Sequence, residues 1–178
     1  MASNIGWAAS TSTLLSESLS LVAELAIALA GFASLVTIIG RRQGREDRVL
    51  DAIRLRSMLE FSLLTAAFAL LPLVPFHAGL SQNSTWRLCA ALFAGSGGLY
   101  SIYWFRRLSD IADYQVRRPW TFLWISLSVS AVVVLLAVAT GWLPKPEAAY
   151  LWGLYAYLSI AALIFLRLVR SLLEGDRQ

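Results

Sequence analysis

The chain has 178 residues, of which 58% are hydrophobic and only 15% charged. Soluble domains run at ~45–50% apolar and ~25% charged residues, so a water-soluble globule of this composition would lack the polar surface to cover itself, and a disordered chain is excluded too. One cysteine (Cys89) and one histidine (His77) leave no intrachain disulfide, no zinc or iron–sulfur cluster and no paired-histidine haem, so no cofactor and no metal site are expected.

Five apolar stretches lie at about 19–40, 58–76, 86–105, 120–143 and 149–169. Each approaches the ~20 residues that cross a ~30 Å hydrocarbon core at ~1.5 Å per residue. They predict an all-α integral membrane protein with five transmembrane helices in a single helical domain over 1–178. The start of the chain lacks the basic n-region of a secretory signal, and its first apolar stretch is too long for an h-region. The first span is therefore expected to stay in the mature protein.

Wound at ~100° per residue, the first helix separates into three faces. Ala23, Ala26, Ala30, Ala33 and Thr37 form a small-residue face suited to close helix packing. Leu21, Val22, Leu25, Leu29, Phe32, Val36 and Ile39 form a bulky face suited to lipid or large neighbours. The third face is ordered from one end to the other: Glu17, Ser20 and Glu24, then Ala28 and Gly31, then Leu35 and Ile38, and finally Arg41 and Arg42. An ionised carboxylate such as Glu24 inside a span costs a few kcal/mol if it faces lipid, roughly 2.5–3.5 on insertion scales, so it must meet water, a cation or a partner, or carry a proton. Copies of this helix around an axis would place an acidic ring outside, an apolar constriction at Leu35 and Ile38, and a basic mouth at Arg41 and Arg42. Acidic rings concentrate cations, and apolar constrictions gate by dewetting. This order is similar to the pore helix of Orai-type calcium channels, where a glutamate ring precedes an apolar section, a glycine and a basic section. The likeness covers one helix of the five, with the opposite chain direction across the membrane, and is an analogy of pore design. The competing reading makes Glu24 a packing residue, protonated or hydrogen-bonded inside a bundle, with Ser20, Ser34, Ser126, Tyr155 or Tyr157 in reach.

The 41–56 connection turns at Gln43-Gly44, and Val49, Leu50 and Ile53 then recur at helical spacing. The second helix is expected to begin near Glu46 and to project ~15 Å below the membrane before entering it. Arg56 stands four residues before Glu60 and is expected to pair with it. The functional alternative places Glu60 at the inner mouth with Arg41 and Arg42. Pro72 and Pro75 interrupt the outer end of this span, and Gly95, Gly97 and Gly98 weaken the third, so a four-helix reading stays open beside the five-helix one.

Ala90, Ala94 and Gly98 make a packing stripe on the third helix, and Ala91 and Gly95 a second. Asp110 and Asp113 lie between Arg106-Arg107 and Arg117-Arg118 as solvated partners. Trp86, Trp104, Trp120, Trp142 and Trp152 sit near predicted span ends, as in an interfacial aromatic belt. Tyr155 and Tyr157 lie at the depth of Glu24 and are expected to contact it, and His77 is expected in an exposed outer loop.

Thirteen of the fifteen basic residues fall in the 41–56 and 106–118 connections and the C-terminal tail; only Arg87 and Lys145 fall on the other side. Short loops rich in arginine stay in the cytoplasm, which puts the N-terminus outside and the C-terminus inside. The net charge of +4 is thereby explained by topology and by contact with anionic lipid, and no nucleic-acid partner is expected. Fourteen arginines against one lysine suggest a GC-rich bacterial genome and an inner-membrane location, where the Asn83-Ser84-Thr85 sequon has no meaning. No nucleophile–base pair or phosphate-binding glycine loop is visible, so no enzyme is expected. The leading expectation is a homo-oligomeric, cation-selective channel lined by the first helix. The alternatives are a membrane scaffold whose arginine-rich helix docks a cytoplasmic protein, and a small transporter that couples protons through Glu24.

Overall fold

The computed structural model describes residues 3–39, 45–111 and 119–175, with side chains described for 14–35, 52, 55–104, 106 and 122–170. The described chain is all-helical: α1 (Ser3–Ile39), α2 (Arg45–Leu70), the short α3 (Leu73–His77), α4 (Gln82–Ile111), α5 (Pro119–Ala139) and α6 (Pro146–Gly175). Among the described residues, four helical stretches are long and apolar enough to cross a membrane: Leu14–Leu35, Leu55–His77, Phe122–Ala139 and Pro146–Arg170. These four mark an integral membrane protein. The third expected span falls on α4, which is not among them. Arg87 at its start and Gly95, Ser96, Gly97, Gly98, Tyr100 and Ser101 further along dilute its apolar run.

The helices group into two compact units, Met1–Leu70 with Ala161–Gln178, and Leu71–Ile160. In the first unit α1 packs on α2. Leu19, Val22, Ala23, Ala26 and Ala33 are the buried side of α1. On α2, Met58, Phe61, Ser62, Thr65, Ala66, Phe68 and Ala69 are buried, at the three- and four-residue steps of one helix face. The alanine face of α1 is thus the face taken into the unit. Small side chains let two backbones approach, and dispersion between them replaces the hydrophobic drive that lipid cancels. Phe32 meets Phe165 of α6 with ring centroids 6.2 Å apart.

α2 is described from Arg45 and already includes the expected Glu46. It stops at Leu70 because Pro72 has no N–H to donate back into the helix. The chain then turns through α3.

In the second unit α4 packs on α5. Two glycines at positive φ close helices on the loop side. At Gly79 (φ +79°) the amide of Leu80 bonds the Pro75 carbonyl at 3.1 Å and that of Gly79 bonds Phe76 at 3.1 Å. At Gly141 (φ +80°) the same pair of bonds runs from Trp142 to Ala137 at 2.9 Å and from Gly141 to Val138 at 3.0 Å. Both are Schellman caps, and only glycine takes that backbone without strain. Ser81 caps α4 by accepting the Ser84 amide at 3.3 Å, and Pro146 opens α6 with its fixed φ.

A Cβ built on Gly98 would lie 3.9 Å from Val132, and one on Gly153 would lie 3.1 Å from Leu135. These glycines therefore mark close approaches of α4 to α5 and of α5 to α6. Ala90 and Ala94 are buried beside this stripe, whereas Ala91 and Gly95 are exposed. Of the two small-residue stripes read from α4, only the first packs inside this chain.

The aromatic belt needs correction. Trp142 is 85% exposed and Trp152 49%, as a belt requires, but Trp86 is 0% exposed and Trp104 2%. Their rings are taken by other rings: Trp86 by Phe76 and Tyr150, Trp104 by Tyr100 and Tyr103. Trp120 lies outside the described side chains.

Candidate functional site

The ordered face of α1 is left uncovered by the chain itself. Ala23, Ala26 and Ala33 of the alanine face are buried, whereas Glu17, Ser20, Glu24, Ala28, Gly31 and Leu35 are all exposed. A Cβ built on Gly31 would meet nothing within 4 Å. Glu24 lies inside the apolar stretch Leu14–Leu35, ten residues past Leu14, ~15 Å of helix.

The Ser20 hydroxyl donates to Glu24 Oε1 at 3.2 Å. Among the described residues, no basic group lies within ion-pair distance of Glu17 or Glu24. The candidates on α6, Tyr155 and Tyr157, belong to the second unit. The Tyr157 hydroxyl is buried and lies 3.4 Å from Ser101 Oγ, and Tyr155 is exposed. Ser34 is bonded to the Gly31 carbonyl at 2.6 Å and Ser126 to the Leu123 carbonyl at 2.9 Å. Of the two candidate hydroxyls in the same unit as Glu24, Ser20 and Ser34, Ser20 is the one the structure brings to it.

Ile38, Arg41 and Arg42, together with Asp110 and Asp113, lie outside the described side chains. Glu60 accepts from Arg56 Nε at 2.7 Å, one turn apart on α2, with Glu60 30% and Arg56 61% exposed. An ion pair so exposed contributes little stability, ~0.3–0.5 kcal/mol, and mainly orients the two side chains. His77 is exposed and its Nδ1 lies 2.7 Å from the Leu73 carbonyl. No group of three or more His, Cys, Asp or Glu side chains is placed to hold a metal ion among the described residues.

The second unit holds a feature not foreseen from the sequence. Phe76, Trp86, Tyr150, Phe93 and Tyr157 form a continuous run of ring contacts with centroids 5.6, 5.3, 5.9 and 5.0 Å apart. The signal was present: residues 86 and 93 on α4 and 150 and 157 on α6 both stand seven apart, two turns along one helix face. Tyr157 presses its hydroxyl into the gap left by Gly97, where an added Cβ would collide with that oxygen. Among the described residues, the hydroxyls of Thr85, Ser62 and Ser128 and the indole nitrogen of Trp86 are buried without a hydrogen-bond partner. No protein-family model matches this chain, and no curated protein or solved structure does either.

Proposed function

We propose that the chain is one subunit of a homo-oligomeric, cation-selective ion channel whose pore is lined by α1 of each copy. The supporting observation is the placement of Glu24, a carboxylate within an apolar span and on the side of α1 that its own chain leaves uncovered. Facing lipid, an ionised carboxylate in the bilayer costs roughly 2.5–3.5 kcal/mol on insertion scales. A closed ring of copies replaces lipid with a water-filled axis and removes that cost. Glu17 and Glu24 are then the outer filter, with Ser20, Ala28 and Gly31 along the pathway. Leu35 and Ile38 are the gate, and Arg41, Arg42 and Glu60 the inner mouth.

In this reading α4 is a fifth span beside the four apolar helices. The N-terminus lies outside and the C-terminus in the cytoplasm, because the arginine-rich connections stay on the inner side of a bacterial inner membrane, against anionic lipid.

The test is the reversal potential of the purified protein in planar bilayers under a KCl gradient. Wild-type protein should favour K⁺, and Glu24→Gln should move the reversal potential toward zero. An unchanged potential in Glu24→Gln overturns the role of Glu24. Saturable, pH-dependent flux without unitary currents would point to the transporter, and a stoichiometric cytoplasmic partner without conductance to the scaffold.

A further inference from the structure

Seven hydroxyls of these helices share one habit. Ser18, Ser34, Thr65, Ser96, Ser126, Ser130 and Thr140 each donate to a backbone carbonyl three or four residues earlier. Serine and threonine in apolar helices satisfy themselves this way because lipid offers no acceptor. Ser20 departs from the habit. It donates forward, to the Glu24 side chain.

We infer that Ser20 is a positioning residue for Glu24, drawing its carboxylate back along α1 toward Glu17 so that the two acidic side chains act as one cation-binding stretch. This rests on the pore reading above. Side chains on a helix already lean toward its N-terminus, and a bond four residues back holds that lean. Glu17 and Glu24 are seven residues apart, ~10.5 Å of helix rise, and Ser20 stands between them. The bond length of 3.2 Å is longer than the ~2.5–2.7 Å of a tight hydroxyl–carboxylate bond. Such a bond orients the carboxylate and leaves its second oxygen, Oε2, to the lumen. Without the hydroxyl the carboxylate swings among its rotamers, and the density of negative charge between the two glutamates falls. Ser20 also lies on the exposed side of α1, so removing its hydroxyl opens no cavity inside the chain.

The experiment compares four variants in the same bilayers under a KCl gradient: Ser20→Ala, Ser20→Thr, Ser18→Ala and Glu24→Gln. Loss of one hydrogen bond of this kind should lower the K⁺ over Cl⁻ permeability ratio roughly three- to tenfold in Ser20→Ala. Ser20→Thr keeps a hydroxyl and should restore the ratio. Ser18→Ala removes a hydroxyl bonded to the backbone and should leave it unchanged. A second readout needs no current: the Glu24 side-chain carboxyl ¹³C resonance, assigned by its disappearance in Glu24→Gln, should move in Ser20→Ala and return in Ser20→Thr. If Glu24→Gln loses selectivity while Ser20→Ala keeps wild-type selectivity or an unmoved resonance, the positioning role is overturned and the pore reading stands. If Glu24→Gln itself keeps wild-type selectivity, the pore reading falls and takes this role with it.

Discussion

α1 and the aromatic run of the second unit both set polar groups into apolar helices, and they treat them in opposite ways. In the run from Phe76 to Tyr157, polar atoms are turned inward. Tyr150 and Tyr157 are 0% exposed, and the Tyr157 hydroxyl is held between Gly97 and Ser101. On α1 the polar atoms are turned outward, and the carboxylate of Glu24 has a serine of its own helix for company. A polar group closed in by rings serves the fold, because every contact it makes is spent within the chain. A carboxylate on an uncovered face of an apolar helix adds little to the fold of the chain that carries it.

The comparison breaks most visibly at Trp86. Trp86→Ala removes a ring held between Phe76 and Tyr150. It should lower stability by about 3 kcal/mol, the low end for aromatic truncations in a core, because lipid tails give the unfolded helices an apolar medium as well. Thermal unfolding in detergent reads this directly, and a midpoint equal to wild type would show that the run is not structural. Gly97→Ala should cost about 1–3 kcal/mol through overpacking against the Tyr157 hydroxyl. Combining it with Tyr157→Phe takes away the atom that is struck, so the double variant should regain part of the loss. If it regains none, the clash lies elsewhere. At the other extreme, Glu24→Gln should leave the unfolding midpoint within about 0.5 kcal/mol of wild type while it alters selectivity. A large loss of stability there would make Glu24 a packing residue and erase the contrast.

Much of the architecture was legible because it follows from length and periodicity. Four of the five apolar stretches are helices able to span a membrane, and Arg56 meets Glu60 at i, i+4. The alanine face of α1 was legible for a steric reason, since only small residues let helices approach. What the pattern did not disclose is which large residues turn inward. In a soluble protein hydrophobicity separates core from surface. Here Leu21 and Phe32 are exposed and Val22 is buried, although hydropathy does not distinguish them, because lipid and core are equally apolar. Trp86 and Trp104 were misread for the same reason: a tryptophan near a span end suits the interface or another ring, and inter-helix pairing decides between them. The Ser20 bond to Glu24 was one of several candidates, and the four-residue spacing on one helix face selects it over Ser34.

The central claim is that the Glu24 face of α1, and not its alanine face, meets other copies of the chain. Single cysteines placed on the two faces in a Cys89→Ala background test it most directly. Ala28 lies on the exposed face and Ala26 is 0% exposed. In native membranes under mild oxidation, Ala28→Cys should form inter-subunit disulfides and Ala26→Cys should not. Cross-linking at Ala26, with none at Ala28, would contradict the shared axis and the channel built on it.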